Sequence, residues 1–332
     1  MMAAGEPPAR GRGRADLLPG PLADWARLAV AGLIEGRLRR SNAVLGAALV
    51  FHGVAEHPGD PAREIDPATD RGRLADMVRY ASRRYRLVRA AELAPIARAR
   101  RSGERIPIAF TFDDDLPSHL DQAAPVFAGC GGTATAFLCG AREPFWWQLL
   151  QRAIDERAIA PADLAPVPAE LVAAALDGRS RAAYRLAGAV ERLAPAERDP
   201  LIDALAAAVG RDAPPMLGDD GAAALLAAGW EIGFHTRRHD LLTGLDDDRL
   251  AAALRPEPVG GDGLPRTLAY PHGKAGSREA RAARSAGYVA AFTGTRQRFD
   301  EETDDHLIGR LQPDVSTLGR FAMELARFLS AP

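Results

Sequence analysis

The sequence predicts an α/β fold in which parallel strands alternate with helices and one long helical segment is inserted. Short apolar runs are followed by segments with helical periodicity, and this alternation is typical of parallel strands joined by crossover helices. The alternation stops between residues 142 and 217, where Ala, Leu, Arg and Glu recur at helical spacing without a strand. Such an insertion belongs at a loop face, as a lid, a substrate wall or a subunit contact that supports an oligomer.

Four segments follow from this pattern. They are a disordered leader at 1–20, the first part of the α/β domain with an N-terminal helix at 21–141, the helical insertion at 142–218, and the second part of the domain at 219–332. The leader is rich in Gly, Pro and Arg and lacks the apolar core of a secretory signal. We therefore expect a cytoplasmic protein whose leader is a solvated tail rather than a membrane contact.

The first helix is predicted at 22–40. Its apolar residues recur at helical spacing: Leu22, Trp25, Leu28, Ala29 and Leu33. Arginines close the segment, as expected for cations near a helix C-terminus. We expect the apolar stripe to pack on the rest of the domain, and the alternative is docking on a membrane that holds a lipid-linked substrate.

Three carboxylates stand side by side where a buried strand is predicted to end. Asp113, Asp114 and Asp115 follow the apolar run 106–112. Adjacent carboxylates repel and shift each other's pKa, so a fold tolerates them where a cation, hydrogen bonds or open water takes up the charge. A metal site is one interpretation, and an Asp-rich loop that caps the helix beginning near Ser118 is the other.

Two histidines follow a later predicted strand. The run 230–234 leads into His235, and His239 follows four residues on. If the chain turns helical directly after the strand, both rings project from one face and can hold one ion together with a carboxylate from another strand. Two histidines and an acid leave coordination positions open for water, which suits a catalytic ion better than a structural one.

Two further motifs allow two interpretations each. Phe145-Trp146-Trp147 opens the insertion, either as a platform that stacks on sugar rings or as a buried anchor. The acidic run at 246–248 precedes a predicted helix, where we interpret it as a cap, with a second metal site as the alternative.

Three motifs in order resemble those of a known family. Thr111-Phe112-Asp113-Asp114, the block from His235 to His239, and Tyr270-Pro271-His272-Gly273 look like the leading motifs of the polysaccharide deacetylases, the NodB-homology or carbohydrate esterase 4 family. The resemblance extends from about residue 47 to residue 328, and the two-histidine block is its most specific part. It implies a distorted (β/α) barrel with fewer strands than a regular one, and hydrolysis of an N-acetyl group on a sugar.

The resemblance also implies roles for individual residues. Asp113 would be the general base. Asp114, His235 and His239 would bind one divalent metal ion, usually zinc. The backbone N–H of His272, after the motif proline, would help to hold the oxyanion.

One departure from the family pattern lies beside the carboxylate pair. Asp115 stands where most relatives carry glycine, and Asp is among the few residues that tolerate the left-handed region that a glycine there permits. Its extra charge either tightens metal binding or raises the pKa of Asp113.

Two other departures concern the base and the acid. Many relatives orient the base with an arginine where this chain has Ala269, and we expect Arg310 to replace it, although a surface arginine is the alternative. The late histidine that supplies a general acid in many relatives has no clean match. His306, His272, His52 or a water relay is left to protonate the leaving amine.

Composition is compatible with this function. At 332 residues and 47% hydrophobic content the chain can bury a sizeable core. A net charge of −2 favours neither nucleic acid nor anionic lipid globally, so no nucleic-acid partner is expected. Cys130 and Cys139 are expected to be reduced, and no apolar run approaches the roughly 18–20 residues of a membrane span.

The sequence therefore predicts a metal-dependent hydrolase that removes an N-acetyl group from a sugar or a glycan precursor made in the cytoplasm. Two alternatives remain. One is a non-catalytic barrel that binds glycan or a partner at a decayed site. The other is a non-haem iron enzyme, because two histidines and one carboxylate also bind Fe(II).

Overall fold

The computed structural model of the protein describes residues 20–210, 216–260 and 263–331. Apart from Gly20, the predicted leader at 1–20 lies outside the described residues. The strands in these ranges are β1 Ala47–Phe51, β2 Val54–Ala55, β3 Thr69–Asp70, β4 Arg86–Val88, β5 Pro107–Asp113, β6 Thr135–Leu138, β7 Glu231–Phe234, β8 Thr267–Ala269, β9 Ala290–Phe292 and β10 Arg310–Leu311. The α-helices are α1 Gly20–Arg39, α2 Arg71–Arg84, α3 Ala90–Ala99, α4 Ala124–Ala128, α5 Trp146–Asp155, α6 Ala169–Leu176, α7 Ala182–Glu191, α8 Pro195–Val209, α9 Gly218–Ala227, α10 Asp247–Leu254, α11 Ser277–Ser285 and α12 Leu318–Ser330.

One parallel sheet organises the molecule. Its strand order is β10-β1-β5-β6-β7-β8-β9, and β4 pairs with the first half of β5. A parallel bridge between Phe292 in β9 and Ile308, just before β10, brings the two ends of the sheet together. The sheet is therefore nearly closed and surrounded by helices, which confirms the predicted distorted (β/α) barrel.

The central strand β5 shows why this sequence forms such a sheet. Every residue from Pro107 to Asp113 is buried, and parallel strands covered on both faces have near-continuous apolar sequences. Because all strands of the sheet are parallel, the carboxyl ends of β5, β7 and β8 meet at one edge. The final residues there are Asp113, Phe234 and Ala269.

The helices α5 to α8 occupy the predicted insertion. Their apolar sides form a second hydrophobic cluster, distinct from the barrel core, that includes Leu150, Leu186 and Leu205. Phe145, Trp146 and Trp147 open this segment and are buried in the same cluster. The anchor interpretation of these aromatics is therefore confirmed, and an exposed sugar-stacking platform is wrong.

The first helix, α1, is present, but the prediction for its apolar stripe is only partly right, since Leu28 alone of its large apolar residues packs against the barrel core. Leu22, Trp25 and Leu33 point to solvent, whereas Ala31 and Glu35 are buried against the barrel. Hydrogen bonds of Asp24 and Glu35 to neighbouring elements fix this rotation. No helix among the described residues is long and apolar enough to cross a membrane.

Candidate active site

The three adjacent carboxylates separate because the chain turns sharply between them. Asp114 has φ 74, a left-handed conformation that an aspartate tolerates, and this turn follows the last residue of β5, Asp113. The positive φ expected at Asp115 therefore falls one residue earlier. All three side chains are buried.

Asp115 is turned away from the other two carboxylates. It accepts the backbone N–H groups of Cys139 at 2.8 Å, Gly140 at 2.8 Å and Ala141 at 3.1 Å. Burial raises the pKa of Asp115 to about 6, although these hydrogen bonds favour its ionised form. The residue thus fixes the loop after β6, a role that neither sequence-based expectation included.

Asp113 is paired with a buried arginine from the far end of the chain. Arg310 Nη1 and Nη2 donate to the two Asp113 oxygens at 2.6 and 2.8 Å. The guanidinium also donates to the Thr293 carbonyl at 3.1 Å and to the Thr111 hydroxyl at 3.2 Å. Burial alone would raise the pKa of Asp113, but the charge of Arg310 holds it well below the usual range. Arg310 is therefore a buried partner of Asp113 and not a surface arginine.

Asp114, His235 and His239 converge on one point. Asp114 Oδ1 lies 3.8 Å from His235 Nε2 and 3.7 Å from His239 Nε2, and the two imidazole nitrogens are 3.2 Å apart. Asp113 Oδ2 lies 3.8 Å from His235 Nε2. A second carboxylate thus stands beside the cluster while bonded to Arg310.

A bent loop, and not the predicted helical turn, brings His235 and His239 together. No helix follows β7 directly: Thr236 and His239 have φ 61 and φ 50, and the loop between them bends back. The Nδ1 atom of His235 lies 2.8 Å from the Ala269 carbonyl, so it donates there and leaves Nε2 with a free lone pair toward Asp114. The ring orientation is therefore set by β8.

The donor set fits a divalent cation. Donors about 2.0–2.2 Å from a tetrahedral ion are about 3.3–3.6 Å apart, close to the three distances in this cluster. Asp114 Oδ1 is buried and has no hydrogen-bond partner among the described residues. Burial raises the pKa of Asp114 to about 7, lowers that of His235 to about 4 and holds that of His239 well below its usual value. Both imidazoles are therefore neutral near pH 7, and Asp114 Oδ1 accepts no hydrogen bond from the described residues.

The second acidic run begins with the cap of α10, as its interpretation as a cap predicted. Asp246 accepts the backbone N–H of Arg249 at 2.9 Å and caps α10. Within the described ranges, the Asp114 cluster is the group of His, Cys, Asp and Glu side chains close enough to hold an ion.

Comparisons with solved structures agree with this architecture. A Streptococcus pyogenes deacetylase, PplD, solved with acetate, matches with a TM-score of 0.58 at 10% identity, over 87% of this chain and 100% of that one. A polysaccharide deacetylase from Bacillus cereus matches with a TM-score of 0.50 at 12% identity, over 86% and 69%. A de-N-acetylase from Aggregatibacter actinomycetemcomitans matches with a TM-score of 0.50 at 15% identity, over 86% and 99%.

The chain has the polysaccharide deacetylase fold. No family model and no curated protein matches the sequence. The barrel that the sequence motifs implied is thus confirmed at the level of structure, at identities too low to carry over a function.

Within this deacetylase fold, the insertion reaches the site through one carboxylate. Glu191, at the end of α7, is buried, and its Oε1 lies 2.9 Å from His272 Nδ1. The other ring nitrogen of His272 lies 3.2 Å from the His239 carbonyl, and His272 has φ 59. Sequence reasoning missed Glu191, because a lone Glu in a helical insertion carries no local signal.

The insertion also covers His239 with an aromatic ring. The Trp147 and His239 ring centroids are 4.8 Å apart. This buried tryptophan therefore packs on one of the three clustered side chains, and the predicted anchor lies next to the site.

The two other predicted proton donors, His306 and His52, fall at opposite ends of the barrel. His306 Nε2 lies 2.8 Å from the Tyr288 carbonyl, before the start of β9, so it is at the amino ends of the strands and away from the cluster. The prediction of His306 as a catalytic acid is therefore corrected. His52 follows the carboxyl end of β1, with Nδ1 3.9 Å from Asp66 Oδ1.

Proposed function

We propose that the protein is a metal-dependent N-deacetylase that hydrolyses the acetamide of an N-acetylated sugar or glycan. The observation that carries the proposal is the convergence of Asp114, His235 and His239 beside a second carboxylate, Asp113, which Arg310 holds. The similar structures, a deacetylase, a polysaccharide deacetylase and a de-N-acetylase, support the same activity.

Asp114, His235 and His239 are the proposed metal ligands, and Zn²⁺ is the proposed ion, since two imidazoles and one carboxylate form a common catalytic zinc set. When bound, the ion supplies Lewis acidity that polarises the acetamide carbonyl and makes water easier to deprotonate. The protein residues around it must then move a proton and stabilise charge.

Asp113 is the proposed general base. It stays ionised because Arg310 lowers its pKa, and the two-point contact with the guanidinium fixes the direction of its oxygens. A strongly ionised carboxylate is a weak base in bulk water. It can nevertheless accept a proton from a water whose acidity has been raised, if the two are held at hydrogen-bond distance.

The oxyanion and the leaving amine need two more groups. We propose that the backbone N–H of His272 donates to the developing oxyanion, as predicted from its place after Pro271. Of the predicted proton donors, His52 is favoured because both ring nitrogens of His272 face other acceptors, Glu191 and the His239 carbonyl. Water thus adds across the amide C–N bond and yields acetate and a free amine.

Acetate release is the direct test of this function. Purified protein is incubated with a panel of N-acetylated mono- and oligosaccharides, with and without a chelator. We expect acetate release that the chelator abolishes and added Zn²⁺ restores. Metal-loaded protein that binds glycan without releasing acetate would indicate the non-catalytic alternative, and oxygen consumption with Fe(II) would indicate the iron enzyme.

The choice of glycan, the cytoplasmic location and the subunit contact through the insertion stay predictions. The substrate panel narrows the choice of glycan, because lipid-linked, nucleotide-linked and polymeric substrates can each be compared with the free sugar.

A further inference from the structure

Helix α1 is apolar on both sides, but the barrel covers only one of them. Ala31 is buried on the inner side, and Leu28 and Leu38 pack against the barrel core. On the outer side Trp25 is 71% exposed and Leu33 is 75% exposed. A helix that is hydrophobic all round is normally buried all round. No described residue covers this outer face, which consists of Leu22, Trp25, Ala29, Val30 and Leu33.

The helix cannot rotate to hide this face, because polar contacts fix its inner side at both ends. Near its start, Asp24 accepts the backbone N–H of Gly319 at 3.0 Å and caps α12. Near its end, buried Glu35 accepts the hydroxyls of Tyr80 and Tyr85, each at 2.6 Å. Turning the outer face inward would break these hydrogen bonds and leave the buried Glu35 carboxylate without its hydrogen-bond donors.

The same contacts remove negative charge from the exposed surface. Asp24 and Glu35 are the acidic residues of α1, and both are used internally. Arg37 and Arg40 continue the outer face one and two turns beyond Leu33, at helical spacing, and both are exposed. The outer face is therefore apolar along most of its length and cationic at its end.

An adjoining loop extends the cationic end. The backbone of Gly103 donates to the Arg39 carbonyl at 2.9 Å, and the Ser102 hydroxyl donates to the Arg40 carbonyl at 2.7 Å. This loop contributes exposed Arg101 and Arg105. Its acid, Glu104, accepts the backbone N–H of Arg101 at 2.8 Å.

We propose that the outer face of α1 binds the surface of a bilayer containing anionic phospholipid. Leucines and a tryptophan suit the boundary between headgroups and acyl chains, where an amphipathic helix lies flat, and the arginines at its end complement lipid phosphates. A second copy of the chain is a poorer match. In a two-fold pairing of the helices, the arginines of one copy meet either apolar residues or the arginines of the other.

The experiment is co-sedimentation of the full chain with vesicles of phosphatidylcholine alone or mixed with phosphatidylserine. We expect binding to the mixed vesicles that weakens with added salt. The double substitution Trp25→Ser, Leu33→Ser should reduce binding at least about tenfold, and Arg37→Gln, Arg40→Gln should remove the preference for phosphatidylserine. The matched control is Leu264→Ser, which changes another exposed leucine, 58% exposed, in the loop between α10 and β8, and should leave binding unchanged.

Tryptophan fluorescence of the unaltered protein gives a second measurement that needs no variant. Trp146, Trp147 and Trp230 are buried, so a blue shift on adding mixed vesicles reports on Trp25. The proposal would be overturned if the wild-type protein neither sedimented with the mixed vesicles nor showed a blue shift of its tryptophan emission. So would a dimer in light scattering that Trp25→Ser dissociates. Acetate release from a soluble substrate should be unchanged in every variant, which separates this proposal from the proposed activity.

Discussion

Asp113 and Asp114 are neighbours in sequence and equally buried, yet their surroundings are opposite. Arg310 satisfies both oxygens of Asp113 and holds its pKa low. Asp114 Oδ1 has no partner among the described residues, and burial raises the pKa of Asp114 to about 7. The protein balances one charge itself and leaves the other to be balanced from outside. We propose that this difference makes Asp113 the base and Asp114 the metal ligand.

The largest expected effect comes from removing the internal counter-charge. Arg310→Met leaves Asp113 buried and unpaired, and we expect a loss of about 3–5 kcal/mol in the free energy of unfolding, measured with urea at neutral pH. Because the pair lowers the Asp113 pKa, its contribution is complete above the ordinary value of 3.8 and is lost as the pH falls toward the folded-state pKa. The difference from wild type should therefore shrink in strong acid.

Two variants control the Arg310 experiment. The exposed pair Arg89–Glu92 offers Arg89→Met, which should cost at most about 1 kcal/mol. Adding Asp113→Asn to Arg310→Met should recover part of the loss, since no bare charge then remains. If the double variant loses as much free energy of unfolding as the two single variants lose together, the two residues do not act as a pair.

The next largest effect is on the rate of acetate release, in a variant that keeps Asp114, His235 and His239 unchanged. Asp113→Asn keeps the shape of the side chain but removes the proton acceptor, so we expect acetate release to slow at least about a hundredfold. Steady-state kinetics on metal-saturated protein measures this. Near-normal turnover would remove Asp113 as the base.

A smaller effect concerns the pH dependence of metal affinity. The histidine ligands are already neutral well below pH 6, whereas Asp114, with a pKa of about 7, must lose a proton to bind a cation. Affinity should rise about tenfold per pH unit up to about pH 7 and then level off. Competition with a coloured chelator measures it. A slope near two below about pH 6.5 would mean that one of the imidazoles is protonated as well.

The smallest effect tests the link between the insertion and the barrel. Glu191→Gln keeps the size of the side chain but removes its charge, which weakens the contact with His272. We expect kcat to fall about tenfold with little change in KM. Glu170→Gln, at an exposed position in α6, is the control. Equal behaviour of the two variants would show that Glu191 only packs the insertion.

Much of the candidate site was predictable because its residues follow directly after the ends of strands. The apolar run before Asp113 and the one before His235 predicted two buried strands, and parallel strands bring their carboxyl ends to one edge. The motifs then predicted which side chains meet there. Arg310 was also predicted, because many relatives orient the base with an arginine where this chain has Ala269, and Arg310 was the candidate to replace it.

The rest depends on contacts that sequence spacing does not encode. The histidines converge through the left-handed residues Thr236 and His239 instead of a helical turn. The rotation of α1 depends on the contacts of Glu35 with two tyrosines, so the hydrophobic stripe predicted the burial of Leu28 but not the exposure of Trp25 and Leu33. Glu191 acts across the fold from within the insertion, without any motif around it.

The central claim is that adjacent carboxylates have different tasks, and metal binding by two matched variants tests it most directly. Asp113→Asn and Asp114→Asn make the same chemical change one residue apart, and Zn²⁺ bound per chain can be measured for each after dialysis. We predict about one ion per chain for wild type and Asp113→Asn, and almost none for Asp114→Asn. Full metal content in Asp114→Asn, or its loss in Asp113→Asn alone, would contradict the account.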